Sequence, residues 1–188
     1  MDLRTALKEQ YHAGLRMLSQ CVERCPERLW SASNLPEPPA PDPNNPGWNG
    51  VERSFWRIAF HDVYFTHLYL GQDESAFLAP PSSLAVRRRQ EFDRMWQPPW
   101  DLEPYELFPG TAPSSRADIC EYVAFVDGLV DDTVDGLDLD SDESGFPWYP
   151  AISKLSHELL NLRHLQGHVG QLSELLMLHG IDVDWTGT

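Results

Sequence analysis

The sequence predicts a single all-α domain over residues 1–188, a four-helix bundle with one short extra helix and long proline-rich loops. Three observations predict it. Four long segments repeat apolar residues at the helical period, and no segment alternates apolar and polar residues as a half-buried strand does. The chain is 41% hydrophobic, with seven Trp, six Tyr and eight Phe, enough for one sizeable core.

The elements follow in order. From Asp2 to Cys25, residues Leu3, Leu7, Tyr11, Gly14, Leu18, Cys21 or Val22, and Cys25 fall on one helical face, and Pro26 ends it. Residues 35–47, "LPEPPAPDPNNPG", carry six prolines and read as an extended loop. Residues 50–71 are too long for a strand despite their aromatic content. They are apolar nearly all round, which predicts a central helix. A shorter helix is expected at 83–96 and a second proline-broken loop at 97–113. Their aromatics, Trp48 in or beside the first loop and Trp100, Tyr105 and Phe108 in the second, predict that both loops pack on the surface. Ser115 followed by Asp118 has the form of a capping box. It opens a helix through Tyr122, Phe125 and Leu129 to about Val134. The last helix lies within 147–180, with Pro150 suited to its first turn and Gly180 to its C-terminal cap.

Composition excludes some functions. The net charge of −15 argues against nucleic acid and anionic membrane as partners, since both need clustered Lys and Arg. The one basic run, "RRRQ" at 87–90, is followed at once by Glu91 and Asp93 and reads as a solvated helix face. No apolar run reaches the ~20 residues of a membrane span, and the first residues lack a signal-peptide core. Three cysteines, Cys21, Cys25 and Cys120, fit buried thiols in a reducing cytoplasm. Asp138, Asp140 and Asp142 imitate a calcium loop. The pattern fails where Glu143 replaces the turn glycine and Tyr149 the bidentate glutamate.

The chemistry concentrates in histidines. His164 and His168 stand at i, i+4 in "NLRHLQGHVGQL", so their rings lie on one helical face, about 6 Å apart along the axis. Such a pair arises often by chance. Here it shares an inward stripe with Asn161 and His157, where buried polar groups need satisfaction and metal ligation is one way to give it. His61 sits mid-way along the apolar second helix. It is either a core histidine bonded to one carbonyl or a third ligand. His157 is seven residues before His164, an offset of roughly 10 Å, beyond reach of an ion held by His164 and His168. His67 should face elsewhere than His61. His12 and His179 read as solvent-facing, near helix ends.

"FWRIAFHDVYFTHLYL" together with "LLNLRHLQGHVGQLSELL" resembles the DinB superfamily of metal-binding four-helix bundles. That family carries one His in the second helix and H-x-x-x-H in the last, followed by Gly-Gln or a similar pair. The match falls on His61, His164 and His168, then Gly170 and Gln171. It covers most of the chain in helix order, less clearly in residues 78–113, and departs at Gly167, where relatives often carry another His. The resemblance implies one divalent metal, zinc or nickel, on three histidines with open coordination positions, as catalytic zinc sites have.

It further implies an enzyme class: thiol-dependent transferases or hydrolases in which the metal activates a thiol or water. The substrate would be a small molecule, with a low-molecular-weight thiol as partner. Gln171 and Tyr64, each about a turn from a ligand, are the candidate catalytic residues, to orient a ligand and to donate a proton; both also fit as ordinary helix-interface residues. Arg53, Arg57 and Arg163 are candidates for a locally basic mouth. The alternative is a non-catalytic module with a structural metal, serving stress-related binding or dimerisation. A homodimer is expected in either case.

Overall fold

A computed structural model describes residues 2–32, 54–77 and 113–187. The predicted helix at 83–96 and almost all of both proline loops lie outside them. Every regular element among the described residues is helical. They are α1 (Leu3–Arg24), the single turn α2 (Glu27–Trp30), α3 (Phe55–Leu70), α4 (Arg116–Gly136) and α5 (Lys154–Met177), with a 3-10 turn at Glu74–Ala76.

The helix ends follow their local chemistry. The Asp2 carboxylate caps α1 by accepting from the Arg4 N–H. Ser115 and Asp118 form the expected capping box at α4, each side chain accepting from the other's backbone N–H. The last helix starts later than Pro150 predicts. Ser153 is its N-cap, and residues 144–150 form a turn bonded through the Ser144 hydroxyl, which donates to the carbonyls of Phe146 and Tyr149. The Ser153 hydroxyl accepts from the Ser156 N–H, satisfying one of the orphan donors of the first turn. Gly180 takes a φ of 74° beyond the C-terminus, where a left-handed residue turns the chain out of the helix.

α1 packs along α4 and α5, and α3 packs along the same two helices. Arg4 donates to the carbonyls of Val134 and Leu137, and Lys8 pairs with Asp135. The start of α1 therefore lies beside the end of α4, and the two are antiparallel. Tyr11 meets Glu158 and Cys21 meets Ser173, so α1 and α5 are parallel. His61 meets His164, while Asn161 donates to the Thr66 carbonyl, which makes α3 antiparallel to α5.

All sixteen residues of α3 are buried, as its apolar circumference predicts. The inward face of α1 matches the predicted one, except that Leu3 is exposed. In α4, Val123, Val126, Val130 and Val134 are buried, while Phe125 and Leu129 sit at the edge. Ile119 and Tyr122 are buried alongside the valines, and Phe125 and Leu129 pack partly buried against the core.

Two devices lock α5 in place. Gly14 of α1 faces Leu165 so closely that a Cβ there would stand 2.6 Å from Leu165 Cδ2. At the start of α5, Lys154 and Glu158 are fully buried and paired at 2.9 Å. The Tyr11 hydroxyl donates to the other Glu158 oxygen at 2.6 Å, and the Lys154 ammonium donates to the Gly71 carbonyl at the end of α3. This pair ties α5 to α1 and α3 at once.

Candidate metal centre

The α3/α5 seam carries the site. His61 is mid-way along α3, and His164 and His168 are one turn apart on α5. His61 Nε2 lies 3.0 Å from His164 Nε2, which lies 3.1 Å from His168 Nε2. The three ligand nitrogens all fall within 4.8 Å of one another, the one such grouping among the described residues. His61 and His168 are buried; 20% of the His164 side chain is exposed.

A neutral imidazole nitrogen has either one proton or one in-plane lone pair. His164 Nε2 therefore cannot make two good hydrogen bonds, one to each neighbour. A single cation satisfies all three lone pairs. Nitrogens held about 2.0–2.1 Å from one ion stand roughly 2.8–3.4 Å apart, between square and tetrahedral angles. Both short edges lie in that range, and the donor set fits a divalent first-row metal.

Electrostatics keep the donors available. Burial, aided by the neighbouring His168, lowers the His164 pKa to about 3, so this ring is neutral at physiological pH. Gln171 Oε1 lies 3.0 Å from His168 Nδ1. With the proton on Nδ1, the ring donates to Gln171 and turns its Nε2 lone pair inward. Gln171 thus sits behind a candidate ligand histidine. Phe65 covers the His61 ring at a centroid distance of 4.7 Å. Asp62, next to His61, is fully buried, and burial pushes its carboxyl well above the ordinary range.

The other singled-out residues are placed elsewhere. Tyr64 is buried in a cluster with Phe60, Phe65 and Phe77. His157 is fully buried outside the triad, stacked on Phe146 at 4.6 Å with Tyr69 edge-on. His67 faces α4 and shares a 2.9 Å hydrogen bond with the Tyr122 hydroxyl. His12 corrects its expectation: it is mid-helix and half-buried, 2.7 Å from Asp127 and 3.4 Å from Asp131. His179 is exposed. Of the candidate mouth arginines, Arg57 is buried near the Trp56 ring, Arg163 is exposed and Arg53 lies outside the described residues.

The cysteines are free; Cys21 and Cys25 are buried, with burial raising their pKa values to about 11 and 12. Neither is a thiolate at neutral pH, so their own nucleophilic chemistry is not what the fold prepares. The sequence reading passed over Asp62 and the Lys154–Glu158 pair. For Asp62 a signal existed, an acid in a helix apolar all round. For the pair, i, i+4 charges usually mark an exposed face. Comparison with protein-family models, curated proteins and solved structures finds no match.

Proposed function

We propose that this is a DinB-like metal-binding helical bundle, carrying one divalent ion, zinc or nickel, on His61, His164 and His168, and acting as a thiol-dependent transferase or hydrolase. The observation that carries the reading is the convergence of three Nε2 atoms, with edges of 3.0 and 3.1 Å, on a largely buried seam. A divalent cation there supplies Lewis acidity that makes a bound thiol or water a nucleophile near neutral pH. Three protein ligands among the described residues, rather than the four of a structural zinc site, favour the catalytic reading over a structural metal. The chain's own part is to hold three neutral donors, orient His168 through Gln171 and wall the site with Phe65. The proposed partners are a small-molecule thiol and a second copy of the chain.

The test is elemental analysis of protein purified without added metal, followed by transfer assays with several low-molecular-weight thiols. One equivalent of zinc or nickel is expected in the wild type. His61→Ala, His164→Ala and His168→Ala should each lose most of it, whereas His157→Ala and His67→Ala should keep it. Full occupancy in His61→Ala would overturn the ligand set. Metal-loaded protein inert toward every thiol and hydrolysable ester tried would favour the structural role.

A further inference from the structure

Two of the buried polar groups without a hydrogen-bond partner among the described residues face each other at the metal seam. They are the Asp62 carboxylate, both of whose oxygens are unpartnered, and His164 Nδ1. Asp62 Oδ1 and His164 Nδ1 are 3.7 Å apart, and the Asp62 side chain is fully buried. A hydrogen bond of about 2.7–3.2 Å needs them to close by only about 0.5–1 Å.

We propose that Asp62 is a positioning residue: its carboxyl oxygen accepts a hydrogen bond from the His164 Nδ1–H and holds that ring with Nε2 turned to the metal. The inference rests on the three-histidine reading. A ring that gives its Nε2 lone pair to a cation carries its proton on Nδ1, and that proton needs an acceptor. His168 has Gln171 Oε1 in this position at 3.0 Å. On the side of His164 the matching group is Asp62. A buried polar side chain without a partner is otherwise a cost to the fold, and a hydrogen bond between Asp62 and His164 Nδ1 would remove it from both groups.

The test is Asp62→Asn, an isostere without the charge, titrated with zinc and with nickel alone. Metal affinity should fall by about 10–100-fold, while the melting temperature of the metal-free protein stays the same or rises. A purely structural role would instead lower the metal-free melting temperature and spare the affinity. Affinity within twofold of wild type, in a variant that folds, overturns the proposal. Should Asp62→Asn not fold, proton and nitrogen NMR of zinc-loaded wild type decides. A slowly exchanging, low-field His164 Nδ1 proton is expected, and its absence overturns the proposal. Wild type that binds neither metal removes the three-histidine reading and this one with it. Wild type that binds while Asp62→Asn binds equally well removes only the role of Asp62.

Discussion

Lys154→Met is the substitution that most directly tests how α5, and with it two of the three histidines, is held. Methionine keeps the length of the side chain but not its charge, so packing against Phe146 should survive. What is lost is the 2.9 Å pair with Glu158 and the donor to the Gly71 carbonyl. Both partners are fully buried, so neither gains water in exchange. Glu158 would be left with the Tyr11 hydroxyl at 2.6 Å as its strong partner. Removing one member of a buried pair costs about 3–5 kcal/mol. In a chain of 188 residues that is a fall in melting temperature of roughly 6–20 °C. Tyr11→Phe removes one hydrogen bond to a charged group and should cost less, about 1.5–3 kcal/mol. The double variant Lys154→Met with Glu158→Gln leaves no uncompensated charge. It should be more stable than the sum of the single losses by at least about 2 kcal/mol. Urea unfolding of EDTA-treated protein, followed by circular dichroism, keeps metal linkage out of the comparison. Additive single losses, or a Lys154→Met loss below about 1 kcal/mol, would refute the reasoning.

Glycines on the two sides of α5 should behave oppositely. Gly14→Val drives a Cβ into the fully buried Leu165 and should cost about 1–3 kcal/mol in urea unfolding. Gly167 is exposed with open space around it, so Gly167→Ala should stabilise by up to about 1 kcal/mol. Acid should destabilise the protein through His67, whose pKa burial lowers from 6.5 to about 4. The unfolded chain takes up this proton near pH 6.5 and the folded chain only near 4. Stability is therefore full above pH 6.5 and falls by about 3 kcal/mol as pH drops to 4. His67→Gln should show a shallower loss over that window, and an unchanged slope would count against the assignment. His12 acts in the opposite sense. Burial lowers its pKa, but bonds to Asp127 and Asp131 outweigh this and raise it. Its contribution is complete below pH 6.5 and fades as pH rises through the folded value, which stability curves of His12→Gln against wild type should reveal.

Much was determined by the sequence alone, because it depends on neighbours within a turn or two. The four helical segments, the Ser115–Asp118 capping box and the shared face of His164 and His168 are all of this kind. So was the central place of α3, since a helix apolar all round has no side to give to water. What only the tertiary structure decided was which faces meet. His12 looked solvent-facing until α4 brought Asp127 and Asp131 beside it. Lys154 and Glu158 carry no sequence sign of burial, yet α1 and α3 close over them. On α4, Ile119, Tyr122 and four valines are buried, whereas Phe125 and Leu129 are only partly so. The third histidine lies 103 residues from His164 in the chain, yet their Nε2 atoms stand 3.0 Å apart. The physical reason is common to all of these. Periodicity records how a helix is turned about its own axis, whereas burial and convergence belong to pairs of helices and depend on their order, direction and register in the packed core.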